Sequence, residues 1–331
     1  MIEAKDLPQT LQEAVIYFRD LDRCRALLRE IRWPDGVLAC PACGASGQDV
    51  GEIKTRHMLN CKKCRKQTSL TKGTVFESSK ISLDKWMVAL WAVVNCKNGI
   101  SSYELARAFP NARGTGHMPQ KTAWFMVQRI RAALEEGGWK FDRPAEADAT
   151  YVGGEAKNMH KRRREKVIKG RGAVGKAIVH GVLQRAVGEQ ASQVQCEVVG
   201  SDDAARLVPA VRSRVRFGAE VYTDAARAYS EIAIFHWHKA IDHSVAYAIG
   251  NVHTNGLENF WSLLKRSLRG TYIAVAPFHL FRYVAEQAFR FNRRTLDDAG
   301  RFLAGLRGVV GKRLTYRVLT AQDDAGFMGL T

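Results

Sequence analysis

The sequence lacks a hydrophobic run long enough to cross a membrane. Its longest apolar run, Met87 to Cys96, covers about half of the roughly 20 residues that a membrane-spanning helix needs. The opening residues, MIEAKDLPQTLQEA, include acids and no apolar stretch, which indicates neither a signal peptide nor an Arg-rich transit peptide. We therefore expect a soluble cytoplasmic protein with no membrane partner.

Acidic residues are scarce relative to basic ones. The 331 residues include 51 Lys and Arg against 33 Asp and Glu, which gives a formal charge of +18. Such a charge favours a polyanionic partner, with nucleic acid first, and the alternative is a basic surface that binds nothing. A chain this long with 46% hydrophobic residues can bury a core in each of two or three domains.

The seven cysteines are an odd number, which argues against a disulfide framework and for a reducing compartment. Two Cys-x-x-Cys pairs, separated by residues 44–60, predict a structural zinc site, because each pair can present two thiolates to one ion. A redox dithiol or an iron–sulfur cluster is the alternative. Four sulfur ligands leave no open position, so the ion would fold a small ribbon. The predicted ligands are Cys40, Cys43, Cys61 and Cys64.

Changes of composition and apolar periodicity divide the chain into five segments. Short β-branched runs and helical stretches after Pro144 predict a mixed sheet flanked by helices, so the fold class is α/β with several domains. The predicted segments are a helical N-terminal segment (1–36), a zinc ribbon (37–76), a helix-turn-helix segment (80–138), a mixed-sheet domain (142–300) and a basic C-terminal tail (301–331).

The stretch SSYELARAF, a turn and the helix QKTAWFMVQRIRAAL are typical of a helix-turn-helix, although a plain helical hairpin has the same pattern. We expect the second helix to contact DNA through Lys121, Gln128, Arg129 and Arg131.

A second basic stretch, Lys157 to Lys176, contains one acid among many Lys and Arg. It ends in GRGAVGKA, which nearly matches a phosphate-binding loop but lacks the hydroxyl residue and precedes a strand. The stretch is either a solvated hairpin or an arm that follows a DNA backbone. The second interpretation is favoured if the rest of the chain acts on DNA. The arm's expected contacts are Lys161, Arg162, Arg163 and Arg164.

Three acids stand out by context. Asp148 lies inside the strand EADATYVGG, Asp224 ends the strand AEVYTD, and Glu258 begins a helix. Taken singly, each is an ordinary surface or capping acid, but together they can converge on one site. Three carboxylates can hold two Mg²⁺ (or Mn²⁺) ions about 4 Å apart, which suits chemistry on a phosphodiester.

The helix that carries Glu258 also carries several cations. Lys265 and Arg269 share the polar face of Glu258, and Trp261 is assigned to the opposite side. If the carboxylate binds metal, we expect Lys265, Arg266 and Arg269 to follow the DNA backbone as it leaves the site. The alternative is a solvated helix.

These motifs together resemble the IS1595 family of insertion-sequence transposases, which have a zinc ribbon and a DDE-type catalytic domain. RWPDGVLACPACG and CKKC are similar to its ribbon, and KTAWFMVQRIR to its helix-turn-helix. The catalytic core is matched by DATYVGG, VYTDAARAY, HTNGLENFWSLLKRSLRGTY and FRFNRR.

The resemblance implies an RNase H-like catalytic domain that uses two divalent metal ions. It implies that Asp148, Asp224 and Glu258 form the triad and that Lys265 contacts DNA near the cleavage site. The expected activity is cutting and joining of double-stranded DNA at the element's terminal inverted repeats. It also implies a homodimer or larger assembly on DNA, at the nucleoid of a bacterial cell.

Two features depart from the family pattern. Ala149 follows the first aspartate where relatives often have an acid, and the turn PNARGTGHMPQ is longer than the usual turn of a helix-turn-helix. Two alternatives remain open: a hydrolytic nuclease or resolvase on the same fold, which would cut without joining, and a non-catalytic DNA-binding regulator.

Overall fold

The structure is a computed structural model that describes residues 2–111, 113–153, 176–241 and 251–320. It divides into two compact units. The first unit comprises Met1–Glu135 with Arg293–Ala321, and the second comprises Glu136–Asn292 with Gln322–Thr331. The five-segment division stays a prediction.

The α-helices of the described residues, in chain order, are α1 (Leu11–Phe18), α2 (Leu21–Arg32), α3 (Leu83–Asn95), α4 (Ser102–Ala108), α5 (Gln120–Ala133), α6 (Ala204–Arg214), α7 (Asn255–Ser267), α8 (Leu280–Asn292), α9 (Asp298–Arg307) and α10 (Tyr316–Thr320). The strands are β1 (Val50–Ile53), β2 (Met58–Cys61), β3 (Gln67–Ser69), β4 (Ala145–Val152), β5 (Ala177–Gln184), β6 (Gln193–Val199), β7 (Glu220–Asp224) and β8 (Trp237–Ile241). Among these residues, no helix is both long enough and apolar enough to cross a bilayer.

Short polar residues determine where several helices begin. Thr10 accepts a hydrogen bond from the backbone N–H of Glu13, whose carboxylate reaches back to the Thr10 N–H. The same reciprocal bonds join Ser101 and Glu104 at the start of α4. Such caps satisfy backbone N–H groups that the first helical turn leaves without partners.

The core of the first unit is aromatic. Phe18 of α1, Trp91 of α3 and Phe302 of α9 pack together, with ring centroids 4.9 to 6.5 Å apart. All three side chains are almost completely buried. The predicted boundary after residue 300 divides α9 between the mixed-sheet domain and the basic tail. Because Phe302 is buried, α9 is instead a packed helix of this unit. The ribbon of the same unit is an antiparallel sheet in the order β1-β2-β3.

The second unit is built on a five-stranded mixed sheet in the order β6-β5-β4-β7-β8. Strands β4, β5 and β6 are antiparallel neighbours, whereas β7 pairs parallel with β4 and β8 parallel with β7. One face of the sheet packs against α7 and α8. The other packs against α6 and the 3-10 helix Arg227–Ile234. The predicted α/β fold class is confirmed, and the mixed sheet is of the kind that an RNase H-like domain contains.

Candidate active site and metal centre

The four ribbon cysteines form one compact group. The sulfur atoms all lie within 4.8 Å of one another, with 3.8 Å between Cys40 and Cys64 and 3.7 Å between Cys43 and Cys61. A tetrahedral site with Zn–S bonds of about 2.3 Å has sulfur atoms about 3.8 Å apart. The donor set and its spacing therefore fit a structural Zn²⁺ ion.

Each cysteine pair is a tight knuckle whose backbone supports the sulfur. The N–H of Ala42 lies 3.4 Å from the Cys40 sulfur, and the N–H of Cys64 lies 3.5 Å from the Cys61 sulfur. Burial raises the pKa of the Cys40 thiol, but hydrogen bonds from backbone N–H groups and from the Cys43 and Cys64 side chains together outweigh it and lower the pKa from 9.0 to about 7. Amides that favour the thiolate prepare the site for a cation.

Asp148 lies in the middle of β4, and Asp224 ends the neighbouring parallel strand β7. Ala147 of β4 is opposite Thr223 of β7, so the two aspartates follow directly on adjacent strands. On its other side, Asp148 is opposite Gly181 of β5. Parallel pairing therefore brings together two acids that are far apart in the sequence.

Helix α7 brings Glu258 to the same place. Glu258 lies in the first turn of α7, and Trp261 follows one turn later. The indole Nε1 of Trp261 donates a hydrogen bond to Asp148 Oδ2 at 2.8 Å. Residues three apart lie about 60° apart around a helix. The assignment of Trp261 to the side opposite Glu258 is therefore wrong, and the indole and the glutamate approach the site together.

The electrostatics of Asp148 report on this convergence. Burial is the largest cause that raises the pKa of Asp148, from 3.8 to about 6. The Trp261 N–H lowers it, and the carboxylates of Asp224 and Glu258 raise it. Two neighbouring negative charges that disfavour ionisation of a third carboxylate are a repulsion that a divalent cation would relieve.

The carboxylate oxygens of the three acids are hard donors of the kind that suits Mg²⁺ or Mn²⁺. Across the part of the chain that the structure describes, however, the cysteine quartet is the one group that gathers three or more ligand atoms around a single point. Asp148, Asp224 and Glu258 are spread more widely than that.

Lys265 lies two turns beyond Glu258 on α7 and is partly buried. Burial and then the Arg269 charge lower the pKa of Lys265, while the Asp148 carboxylate raises it. The ammonium group is thus within the electrostatic reach of the acidic site. Arg266 is exposed near the end of α7, and Arg269 is exposed in the π-helical turn Leu268–Tyr272 that follows it.

The structure corrects the DNA contacts expected of α5. Gln128, Arg129 and Arg131 are at most 4% exposed. The Arg129 guanidinium lies over the rings of Trp86 and Phe125 and donates to the Glu77 carbonyl oxygen at 2.6 Å. Because these side chains are engaged inside the first unit, they do not present charge to a DNA backbone.

The other predicted contacts have different outcomes. Lys121 is exposed at the start of α5, with its ammonium 5.0 Å from the centre of the Tyr316 ring. The basic arm, with Lys161, Arg162, Arg163 and Arg164, lies outside the described residues.

Two residues next to the acids were missed by the sequence analysis. Gly181 allows Trp261 to lie against β5, because an added Cβ would be 2.7 Å from the indole Cη2. Glu146 is buried two residues before Asp148 and contacts the first turn of α7. A glycine inside the apolar strand AIVHGVLQ was the available signal for the first, since it marks a close approach.

Comparisons with known proteins cover both parts of the chain. Residues 142–292 match the family described as ISXO2-like transposase domain, and residues 20–67 match the family described as transposase zinc-ribbon domain. The first match contains the three acids and Lys265, and the second contains the four zinc-site cysteines.

Two relatives match the chain, and the names of both refer to transposition. An uncharacterized protein in transposable element ISH50 of Halobacterium salinarum is 28% identical over 289 residues, which cover 84% of this chain and 92% of that protein. An uncharacterized transposase-like protein of Haemophilus influenzae is 33% identical over 107 residues, which cover 32% of this chain and 86% of that protein. No solved structure matches the chain.

Proposed function

The chain belongs to the IS1595 family of DDE-type transposases, and from this premise we propose that it cuts and joins DNA at the terminal inverted repeats of its own element. The observation that supports the proposal is geometric: Asp148 and Asp224 follow paired residues of β4 and β7, and Trp261, one turn after Glu258 on α7, donates a 2.8 Å hydrogen bond to Asp148. Three acids that act on one another from two adjacent strands and a helix are a site for polyvalent cations and phosphodiester chemistry.

In this proposal the three carboxylates hold two Mg²⁺ (or Mn²⁺) ions. When bound, such a pair activates an attacking hydroxyl and stabilises the departing oxygen of a phosphodiester. Trp261 keeps the Asp148 carboxylate in one orientation through its 2.8 Å hydrogen bond. Lys265, in reach of the same carboxylate, neutralises a DNA phosphate beside the cleaved bond, and Arg266 and Arg269 follow the backbone further.

The expected reaction has two steps. Water attacks a phosphodiester at the element end, which breaks the P–O3′ bond and leaves a free 3′ hydroxyl on the element. That hydroxyl then attacks a phosphodiester of the target DNA and releases a target 3′ hydroxyl. Joining needs two element ends, so we propose a dimer or larger assembly on the chromosomal DNA of a bacterial cytoplasm.

The test is end joining by the purified full-length protein. The protein is mixed with Mg²⁺, a plasmid target and, in parallel reactions, an uncut or a precut element end. The wild type is expected to cut the uncut end and to join both ends to the plasmid. Cutting without joining would instead identify a hydrolytic nuclease or resolvase, and neither product, with end binding retained, would identify a regulator.

The matched variants are Asp224→Asn and Asp142→Asn. Asp142 lies outside the site and contacts only Arg216, at 3.9 Å, among the ion pairs described for it. Asp224→Asn should abolish both reaction steps and leave end binding within a few-fold of wild type, whereas Asp142→Asn should change neither. Equal loss of binding and cutting in Asp224→Asn would contradict a metal-ligand role.

A further inference from the structure

A buried carboxylate joins the strand of Asp148 to the helix of Glu258. Glu146 of β4 is 1% exposed. Its Oε1 accepts a hydrogen bond from Arg185 Nε at 2.8 Å, and its Oε2 accepts one from the backbone N–H of Leu257 at 3.0 Å. Leu257 precedes Glu258, so the bond reaches the first turn of α7.

Arg185 extends the connection to the segment that leads into α7. Its guanidinium donates to the carbonyl oxygens of Asn251 and His253, each at 2.6 Å. It also lies 3.0 Å from His253 Nδ1, and it stacks 4.0 Å from the centre of the Tyr222 ring of β7. One planar cation therefore bonds both β4 and the segment that leads into α7 while its face lies on β7, which a planar fork of five N–H donors suits.

Gly256 permits the close approach of the helix to the strand. A Cβ at this position would lie 2.8 Å from Glu146 Oε2 and 3.0 Å from Leu183 Cδ2. Any larger residue would push the first turn of α7 away from β4. The glycine of the HTNGLEN motif thus has a packing role that its sequence context did not reveal.

The arrangement has the features of an anchor. A buried charge is costly unless it is paired and hydrogen-bonded, and Glu146 has both a cation and a helix N-terminal N–H. Side chains two apart on a strand share a face, so Glu146 and Asp148 face the same side of the sheet. The same few bonds therefore determine how Asp148 and Glu258 are spaced.

We propose that Glu146 is a positioning residue for the acidic site: its carboxylate, held by Arg185, fixes the first turn of α7 on β4 and so sets the separation between Glu258 and Asp148. This inference rests on the proposed function for its link to metal binding, whereas the anchor itself is independent of activity.

Hydrogen exchange of the full-length protein tests the anchor directly. Glu146→Ala should speed exchange of the amides of residues 256–259 by roughly tenfold, equivalent to about 1.4 kcal/mol of lost protection. The matched control is Glu197→Ala, which removes a carboxylate from the Arg214 ion pair of 2.8 Å on β6 and leaves α7 untouched. The control should not change exchange in α7.

Mn²⁺ binding without DNA, followed by the loss of the free-ion paramagnetic resonance signal, tests the link to the metal. Glu146→Ala should weaken Mn²⁺ binding by about tenfold, equivalent to about 1.4 kcal/mol, with end binding unchanged. If Glu146 only stabilised the fold, Glu146→Ala and the control Glu197→Ala would both lower the melting temperature, and the two variants would bind Mn²⁺ with the same affinity. If Glu146→Ala does not fold, Gly256→Ala provides the second variant, since it separates the helix from an intact Glu146–Arg185 pair and should give the same two changes.

The possible failures are distinguishable. One outcome overturns the anchor and leaves the proposed function standing. In it, the wild type joins DNA, and both Glu146→Ala and Gly256→Ala exchange amides and bind Mn²⁺ as the wild type does. The opposite outcome overturns the proposed function and the metal link while the anchor stands. In it, the wild type neither joins DNA nor binds Mn²⁺, but Glu146→Ala still exchanges its α7 amides faster.

Discussion

Replacement of Gly181 by alanine should displace helix α7 from the sheet. The added Cβ would lie 2.7 and 2.9 Å from two ring carbons of Trp261 and 3.0 Å from Leu257 Cδ2. Carbon atoms pack best at about 3.5 to 4.0 Å, so the helix must retreat by about 1 Å or the indole must turn. Either movement weakens the 2.8 Å bond from Trp261 to Asp148.

The magnitude follows from packing. Overpacking of a core typically lowers the free energy of unfolding by about 1 to 3 kcal/mol. Alanine leaves the unfolded chain less conformational entropy than glycine does, and this offsets about 0.4 to 1 kcal/mol of the loss. The net loss of roughly 1 to 2 kcal/mol corresponds to a melting temperature about 2 to 8 °C lower for a unit of this size. Misplacement of catalytic groups by about 1 Å can cost about 100-fold in rate, so end joining should fall much more than stability.

The assay compares Gly181→Ala with Gly51→Ala by thermal unfolding and by the rate of end joining. Gly51 also lies in a strand, β1, but nothing lies within 4 Å of a Cβ added there. Gly51→Ala should therefore keep the wild-type rate and melt at the wild-type temperature or slightly above it. If Gly181→Ala also joined DNA at the wild-type rate and melted normally, α7 would not be packed on β5 in the active protein.

Three further changes test other parts of the molecule. Cys61→Ser should release the zinc and weaken end recognition, and an unchanged zinc content by atomic absorption would contradict the four-sulfur site. Trp261→Phe should raise the pKa of Asp148 above about 6 in the metal-free protein, because the N–H that lowers it is lost. Protons should then compete better with Mn²⁺ near pH 6, and Mn²⁺ binding equal to that of the wild type at this pH would contradict this. In the metal-free protein the raised pKa means that protonated Asp148 stabilises the fold below about pH 4 and that this stabilisation is lost as the pH rises through about 6. Asn292→Ala should lower the free energy of unfolding by about 2 to 4 kcal/mol, because Asn292 bonds both the N–H (2.7 Å) and the carbonyl (2.9 Å) of buried Val194; denaturation at the wild-type midpoint would contradict it.

The zinc site was predictable because its chemistry is local. Two residues between paired cysteines place both thiolates on one side of a tight turn, whatever the rest of the chain does. The compact sulfur group follows from that spacing once β1 and β2 bring the second knuckle beside the first. The mixed sheet was predictable for a similar reason, since β-branched runs between helical stretches leave few other arrangements.

Burial of cations was not predictable from helical periodicity. Arg129 and Arg131 lie on α5 beside apolar residues, and a one-dimensional pattern treats every arginine as a candidate for solvent or DNA. Whether a guanidinium stacks under Trp86 depends on the position of α3, which is far away in the sequence. The place of α9 was hidden for the same reason, because Phe302 has its partners in α1 and α3.

The candidate acids Asp148, Asp224 and Glu258 were recognisable from the motifs around them, and so were the cysteines, because residue type and spacing along the chain carry that information. Their surroundings were not. The indole on Asp148, the glycine that admits it and the Glu146 anchor exist only because β4 lies between β5 and β7 with α7 packed across them. Pairing and burial join residues more than a hundred positions apart, and only the folded chain brings those residues into contact.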